Sequence, residues 1–316
     1  MTFHATNWNA IEDEMDLLVW NRLVKNFWQD TKIAISNDIP SWSLLSTDEK
    51  HTTVRVFTGL TALDTLQSQV GAISLMQDAV TPQEISVYTN VSFMESMHTK
   101  TYSSIFSTLC LKKEIDETFE WGATNAILQK KIAIIKKYYD GHDPLMKKVA
   151  SVFLESFLFY SGFFLSLKMA AAPKKALTNT SDLIKLIIRD EGIHGYYIGY
   201  KFQKAVENLS DTAKQSIKEK TYDLLLELYD IELEYTKEIY TKIGWVDEVK
   251  PFLHYNANKA LMNLGYEPLF PEDLCKVDPA ILAALVGTDN HDFFSGGGST
   301  YVMGVVESTQ DEDWDF

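Results

Sequence analysis

Cysteine is nearly absent from this chain. Only Cys110 and Cys275 occur in 316 residues, far apart and without CxxC spacing. That excludes a disulfide framework or a thiolate metal cage, and it fits a reducing compartment, so a cytoplasmic protein is expected. Positive charge is also scarce. With 29 Lys and Arg against 44 Asp and Glu, the net charge is −15, the wrong sign for a nucleic-acid partner. Five of the acids fall in the last ten residues, ESTQDEDWDF. No basic segment precedes an apolar core in MTFHATNWNAIEDEMD, so no signal peptide is expected. One run, from Val152 to Ala172, is long enough to span a bilayer. Glu155 and Lys168 interrupt it and nothing comparable follows, so a buried helix and no membrane contact are expected.

Proline is sparse as well. The eight prolines fall at breaks, with none between Gln83 and Asp143 or between Lys174 and Lys250. No Asn-Gly or Asp-Gly turn is flanked by alternating apolar residues, so strand signals are missing. Helix starts, by contrast, are legible. Ser46-Thr47-Asp48-Glu49 and Thr81-Pro82-Gln83-Glu84 both match a capping box. Asp143-Pro144 and Ser210-Asp211 match N-caps. These signals predict helices near 8–28, 47–76, 82–111, 144–172, 180–206, 210–243 and 251–265, with shorter pieces between 114 and 140. In the 210–243 segment, Leu224, Leu228, Ile231, Tyr235 and Ile239 mark the buried stripe, and Glu227, Glu234 and Glu238 a solvated face. Long antiparallel helices with short connections imply an all-α helical bundle. Past Gly265 the pattern weakens, and Gly296-Gly297-Gly298 opens a tail with no apolar face of its own. The expected division is a helical domain over 1–290 and a flexible tail over 291–316.

Within the apolar run VFLESFLFYSGFF, Glu155 stands alone, and an uncompensated buried carboxylate is costly. Two glutamates elsewhere precede histidines by three residues: Glu95-Ser96-Met97-His98 and Glu191-Gly192-Ile193-His194. On a helix, such a pair presents a carboxylate and an imidazole on one face. One such pair is an ordinary accident; two with matching context are not. Asp64 lies 31 residues before Glu95, and Glu155 lies 36 before Glu191, either interval suiting a helix, a turn and a return. The chain thus repeats acid, helix–turn–helix, ExxH, the requirement of a dinuclear carboxylate site in a bundle. Four carboxylates and two imidazoles would neutralise two divalent cations, and oxygen-rich ligation without thiolate favours iron or manganese. Tyr102 follows His98 by four residues and so faces the same side one turn on. Phe159, Phe163 and Ile187 fall on the same side, so hydrocarbon is expected to wall that phenol.

These residues carry a family resemblance. LTALDTLQ around Asp64, MESMHTKTYS from Met94, LESFLFYSGFF from Leu154 and IIRDEGIHGYYIGYKFQ from Ile187 resemble the radical-generating small (beta) subunit of ribonucleotide reductase. NHDFFSGGGSTYVMG from Asn290 and the ending DEDWDF complete the likeness, which spans essentially the whole chain and is nearest to the class Ib form. The resemblance implies a ferritin-like fold and a homodimer. It implies Asp64, Glu95 and His98 on one metal, and Glu155, Glu191 and His194 on the other, with some carboxylates bridging. It implies a stable tyrosyl radical on Tyr102, made by two manganese or two iron ions, and a transfer route through Trp28 and Asp190. Tyr301 would pass the oxidising equivalent to the large (alpha) subunit, on which the C-terminal tail docks. A flavodoxin-like activator is implied for the manganese form. The competing expectation is a ferritin-like metal oxidase or iron-storage protein, which has no use for Tyr102, Trp28 and Tyr301 together.

Overall fold

The computed structural model describes residues 5–286, and among these the regular elements are helices without strands. Helices α1 (Glu14–Lys25), α2 (Ile39–Leu44) and α3 (Thr47–Leu66) are followed by a π turn, Gln67–Gly71, and α4 (Ala72–Gln77). Next come α5 (Pro82–Leu109), α6 (Lys112–Thr124) and α7 (Ala126–Tyr139). A second π turn, Leu154–Leu158, joins α8 (Pro144–Phe153) to α9 (Tyr160–Ala171). The chain continues through α10 (Thr178–Glu207), α11 (Asp211–Tyr240), α12 (Val246–Asn263) and α13 (Pro279–Val286). The predicted tail, 291–316, lies outside the described residues.

Most starts follow the predicted chemistry. Ser46 and Glu49 close a reciprocal capping box, and the Asp143 and Ser210 side chains accept from the first turns of α8 and α11. Thr81 caps α5, but Glu84 reaches one residue further back than a capping box requires and accepts from the Val80 N–H at 2.9 Å. Three helices differ from expectation at their ends. α1 starts only at Glu14, where the Asp13 carboxylate takes the Met15 N–H, and it ends before Trp28. α12 starts at Val246 and carries Pro251 inside. That proline sits early enough to cost the helix a single hydrogen bond. α10 begins after Leu177, whose φ is +51°, and borrows its cap from another element. Asp38 accepts from the Asn179 and Thr180 N–H groups at 3.1 and 2.6 Å.

Pro144–Ala171 forms one 28-residue rod, and its most apolar window is entirely buried inside the protein, as the interrupted apolar run predicts. α10 packs along it, α3 packs against α5, and α12 covers the second π turn. Four rods therefore surround a common centre: α3, α5, α8–α9 and α10. α7 and α11 close a further side. Leu224, Leu228, Ile231, Tyr235 and Ile239 are buried there, and Glu227, Glu234 and Glu238 are exposed. Among the acids of α11 Glu232 is the exception. It is fully buried, with the Lys131 Nζ 2.7 Å away, and that ammonium lies 3.8 Å from the centre of the Tyr235 ring. Removing one partner of such a pair strands a buried charge. Lys131→Ala is expected to lower unfolding free energy by about 3–5 kcal/mol, whereas Lys131→Met combined with Glu232→Leu should be near neutral. Urea denaturation of both variants checks this.

Candidate metal centre

Each of the six predicted ligands is fully buried at the middle of its rod. Asp64 comes from α3, Glu95 and His98 from α5, Glu155 from the second π turn, and Glu191 and His194 from α10. The i,i+3 spacing turns Glu95 with His98, and Glu191 with His194, toward one point. Two overlapping clusters result: Asp64, Glu95, His98 and Glu191, and then Glu95, Glu155, Glu191 and His194. Within each, one ligand atom per residue lies within 4.8 Å of all the others. His98 Nδ1 is 3.3 Å from Asp64 Oδ1 and 3.0 Å from Glu191 Oε1. His194 Nδ1 is 2.9 Å from Glu95 Oε1, 3.2 Å from Glu191 Oε2 and 3.5 Å from Glu155 Oε2. Glu95 and Glu191 belong to both clusters, the disposition of carboxylates that bridge.

The electrostatics are those of a site built for cations. Both oxygens of Asp64 and of Glu95, with Glu155 Oε2, Glu191 Oε1 and His98 Nδ1, are buried and find no hydrogen-bond partner among the described residues. Buried polar atoms are almost always satisfied, so this many orphans at one point call for a ligand. Burial drives the Asp64 carboxyl well above the usual carboxylate range, and it does the same to Glu191 with help from Glu95 and Glu155. Burial pushes Glu95 up too, but the two imidazoles outweigh it and hold the group at about 2. Burial alone would depress both histidines; the surrounding carboxylates instead raise them well above the ordinary imidazole value. Four carboxylates held by two imidazolium ions and added protons are a stand-in for two divalent cations. The donor set fits two such ions, of the oxygen- and imidazole-seeking kind.

Asp190 and Trp28 join this centre. The Trp28 Nε1–H donates to Asp190 Oδ2 at 2.7 Å, and His98 Nε2 lies 3.3 Å from the same oxygen. The Trp28 and His98 rings lie nearly parallel, 16° apart, with centroids at 6.1 Å. An Nε2–H bond to Asp190 leaves the Nδ1 lone pair of His98 facing the carboxylates. Tyr102 is fully buried and its hydroxyl has no partner among the described residues. Burial, then the charges of Asp64, Glu191 and Glu95, push its phenol well up. Phe159, Phe163 and Ile187 are fully buried, the two phenylalanines 6.0 Å apart. Tyr301 lies outside the described residues.

Sequence reasoning missed several partners. Phe57 stacks on Tyr102 at 5.8 Å; its position seven residues before Asp64, on the same face, was the available signal. Gln67, three after Asp64, donates to Glu155 Oε1 at 2.5 Å and to Ser151 Oγ at 2.8 Å, and accepts from the Tyr139 hydroxyl at 2.6 Å. It opens the first π turn, and Glu155 lies in the second. π turns often mark functional sites because the extra residue re-aims side chains. Gly71 leaves the room this network uses: a Cβ there would stand 2.0 Å from Gln67 Oε1 and 2.8 Å from the Tyr139 ring.

Comparison with known proteins follows the same lines. The family profile described as ribonucleotide reductase, small chain, matches residues 5–279. The chain is 60% identical over 314 residues to ribonucleoside-diphosphate reductase 2 subunit beta of Escherichia coli (strain K12), covering 99% of this chain and 98% of that protein. It is 58% identical over 314 residues to the ribonucleoside-diphosphate reductase subunit beta of Mycobacterium leprae (strain TN), covering 99% and 96%. Among solved structures, dimanganese(II)-NrdF of Streptococcus sanguinis aligns with a TM-score of 0.87 at 52% identity, over 90% of this chain and 100% of that one. The ribonucleotide reductase R2 subunit of Clostridium botulinum shares the fold, with a TM-score of 0.79 at 21% identity over 90% and 91% of the two chains.

Proposed function

Because the chain belongs to the ribonucleotide reductase small-chain family, we propose that it is the class Ib radical-generating subunit of a ribonucleoside-diphosphate reductase. The observation that carries this reading is the meeting of two ExxH pairs and two lone acids, with the charges of Asp64, Glu191 and Glu95 acting on a fully buried, unbonded phenol. Asp64, Glu95, His98, Glu155, Glu191 and His194 would hold two manganese or two iron ions. When bound, that pair supplies the one-electron oxidising power that turns Tyr102 into a stable tyrosyl radical. The dimanganese(II) state of the Streptococcus sanguinis relative favours manganese, and with it a flavodoxin-like activator.

The chain's own residues divide the remaining work. Phe57 and the buried aromatic surroundings keep water from Tyr102, so a radical there is shielded from quenching. Asp190 fixes the His98 ring through Nε2 and ties it to the Trp28 indole, giving an unbroken line from the metal site to Trp28. Trp28 and Asp190 would export the oxidising equivalent along that line. Tyr301 would carry it onward to the large subunit, which reduces the ribonucleotide. In this reading residues 1–290 are the metal-bearing domain and 291–316 the tail that docks on the large subunit. The active form is a cytoplasmic homodimer.

Electron paramagnetic resonance on protein loaded separately with iron, and with manganese plus the activator, tests the core of this reading. A stable tyrosyl signal coupled to a metal pair is expected, and its absence with both metals would refute it. Truncation before Gly296 should abolish turnover with the large subunit and leave that signal intact. Full turnover by the truncated chain would remove Tyr301 from the route.

A further inference from the structure

A second buried polar assembly, which shares no hydrogen bond with Trp28 among the described residues, ties α1 to α5 and α10. The Lys201 Nζ lies 2.8 Å from Asp13 Oδ2, 2.5 Å from Asp16 Oδ1 and 3.7 Å from Glu84 Oε2. Three tyrosines are threaded through it. Tyr200 donates to Asp13 Oδ1 at 3.1 Å, and Tyr197 donates to Asp16 Oδ1 at 2.7 Å. The Tyr197 ring meets that of Tyr88 edge-on, at 5.6 Å between centroids. Tyr88 stands one helical turn from Glu84, and after burial itself it is this glutamate that pushes its phenol up. Neither the Tyr88 hydroxyl nor Glu84 Oε1 has a hydrogen-bond partner among the described residues.

The order of these phenols runs from the surface inward. Tyr200 is half-buried and lines a surface depression of about 450 Å³ with Gln203, Lys204, Glu207 and Tyr266. Tyr197 and Tyr88 are fully buried. Tyr88 lies seven residues before Glu95 on the same buried face of α5, about 10 Å along the axis, and Tyr197 lies three residues past His194. A purely structural tie between helices needs Lys201 and its three acids. It does not need three phenols as well, two of them donating to its carboxylates and the innermost with an unbonded hydroxyl.

We propose that Tyr200, Tyr197 and Tyr88 form a second conduit, by which single electrons from a small surface reductant reach the oxidised metal centre without using Trp28. The inner end rests on the proposed metal function; the conduit itself does not. At each step a phenol gives one electron to its inner neighbour and its hydroxyl proton to its own carboxylate. Tyr197 passes that proton to Asp16 and Tyr200 to Asp13 along bonds already in place, while Tyr88 gives it to the unpartnered Oε1 of Glu84, one turn away, after its hydroxyl turns to close that bond. The electron arriving from outside restores the phenol as the proton returns. The net change is one electron lost by an ene-diol or hydroxylamine reductant and one gained by a metal ion, with the chain unaltered.

Two measurements test the conduit. In metal-free protein with both cysteines changed to serine, Glu207→Cys carries a photo-oxidising ruthenium complex, and flash-induced tyrosyl radical is read by paramagnetic resonance. Tyr197→Phe is expected to cut the yield of buried radical about tenfold, and Tyr88→Phe to remove its innermost component. Phenylalanine keeps the ring packing, so unchanged yields in both variants overturn the conduit. In loaded protein, reduction of the metal centre by hydroxylamine should slow about tenfold in Tyr197→Phe and persist in Trp28→Phe. An unchanged rate in Tyr197→Phe overturns it as well. A protein that forms no metal-coupled radical at all refutes the metal reading, while the photolysis still decides the conduit.

Discussion

Tyr102→Phe is expected to eliminate both the stable radical and nucleotide reduction, while the protein folds and takes up its two metal ions as before. The native hydroxyl is fully buried yet makes no hydrogen bond among the described residues. Deleting a polar atom that has no partner removes a desolvation cost and breaks nothing, so the stability change should be small or even favourable. The ring remains, and with it the stack on Phe57 at 5.8 Å. What disappears is the group that can be oxidised by one electron and survive in hydrocarbon surroundings. Phenylalanine has no oxidisable hydroxyl, and no other tyrosine sits one turn past His98 on that face. The variant should therefore separate two functions that share one site, metal loading and radical storage. Metal content, thermal melting and paramagnetic resonance on the same preparation check all three claims. A persistent tyrosyl signal in the variant would move the radical elsewhere, and an empty metal site would make Tyr102 a structural residue.

The parts of this architecture that were legible in the sequence are those written in local spacing. Helix starts were readable because a cap is a contact across three residues: Ser46 to Glu49, or Asp143 to Met146. The convergence of the two ExxH pairs was readable because both lie mid-helix, where helical period alone decides which residues share a face. Contacts between distant segments left no such trace. Trp28 and Asp190 are 162 residues apart, so their hydrogen bond could enter only through family resemblance. Asp38 caps α10 from 142 residues away, a partnership that no window on the sequence contains. The turn around Glu155 was equally invisible, because that rod is buried on every side and so carries no apolar stripe whose change of phase could be read. Yet the two π turns decide where Gln67 and Glu155 point. Glu232 failed for the opposite reason. It sits among acids that do face solvent, and only the arrival of Lys131 from α7 distinguishes it.

Metal-free and metal-loaded protein are expected to diverge in stability as pH rises. Without metal, His98, His194, Asp64 and Glu191 all hold their protons more tightly when folded than when unfolded. A group raised in this way stabilises the fold fully below its unfolded pKa, and that contribution is lost as pH rises through its folded value. For the two imidazoles the loss begins above about pH 6.5, the unfolded reference, where the unfolded chain binds fewer protons than the folded one. Glu95 works the other way, since its folded value of about 2 lies below the unfolded one. Its contribution is present above about pH 4.5 and vanishes only in acid, outside the window where the histidines act. The metal-free protein should thus melt at progressively lower temperature between about pH 6 and pH 9. Metal loading replaces those protons with cations, and each proton displaced makes binding tighter as pH rises. At 100-fold saturation a single bound ion adds about 2.7 kcal/mol, so the gap between the two forms should widen steadily toward alkaline pH. Differential scanning calorimetry of both forms across that range, with proton release counted by titration in weak buffer, gives the sign directly. A gap that narrows with rising pH would mean that the six side chains are not the ones giving up protons to the metal.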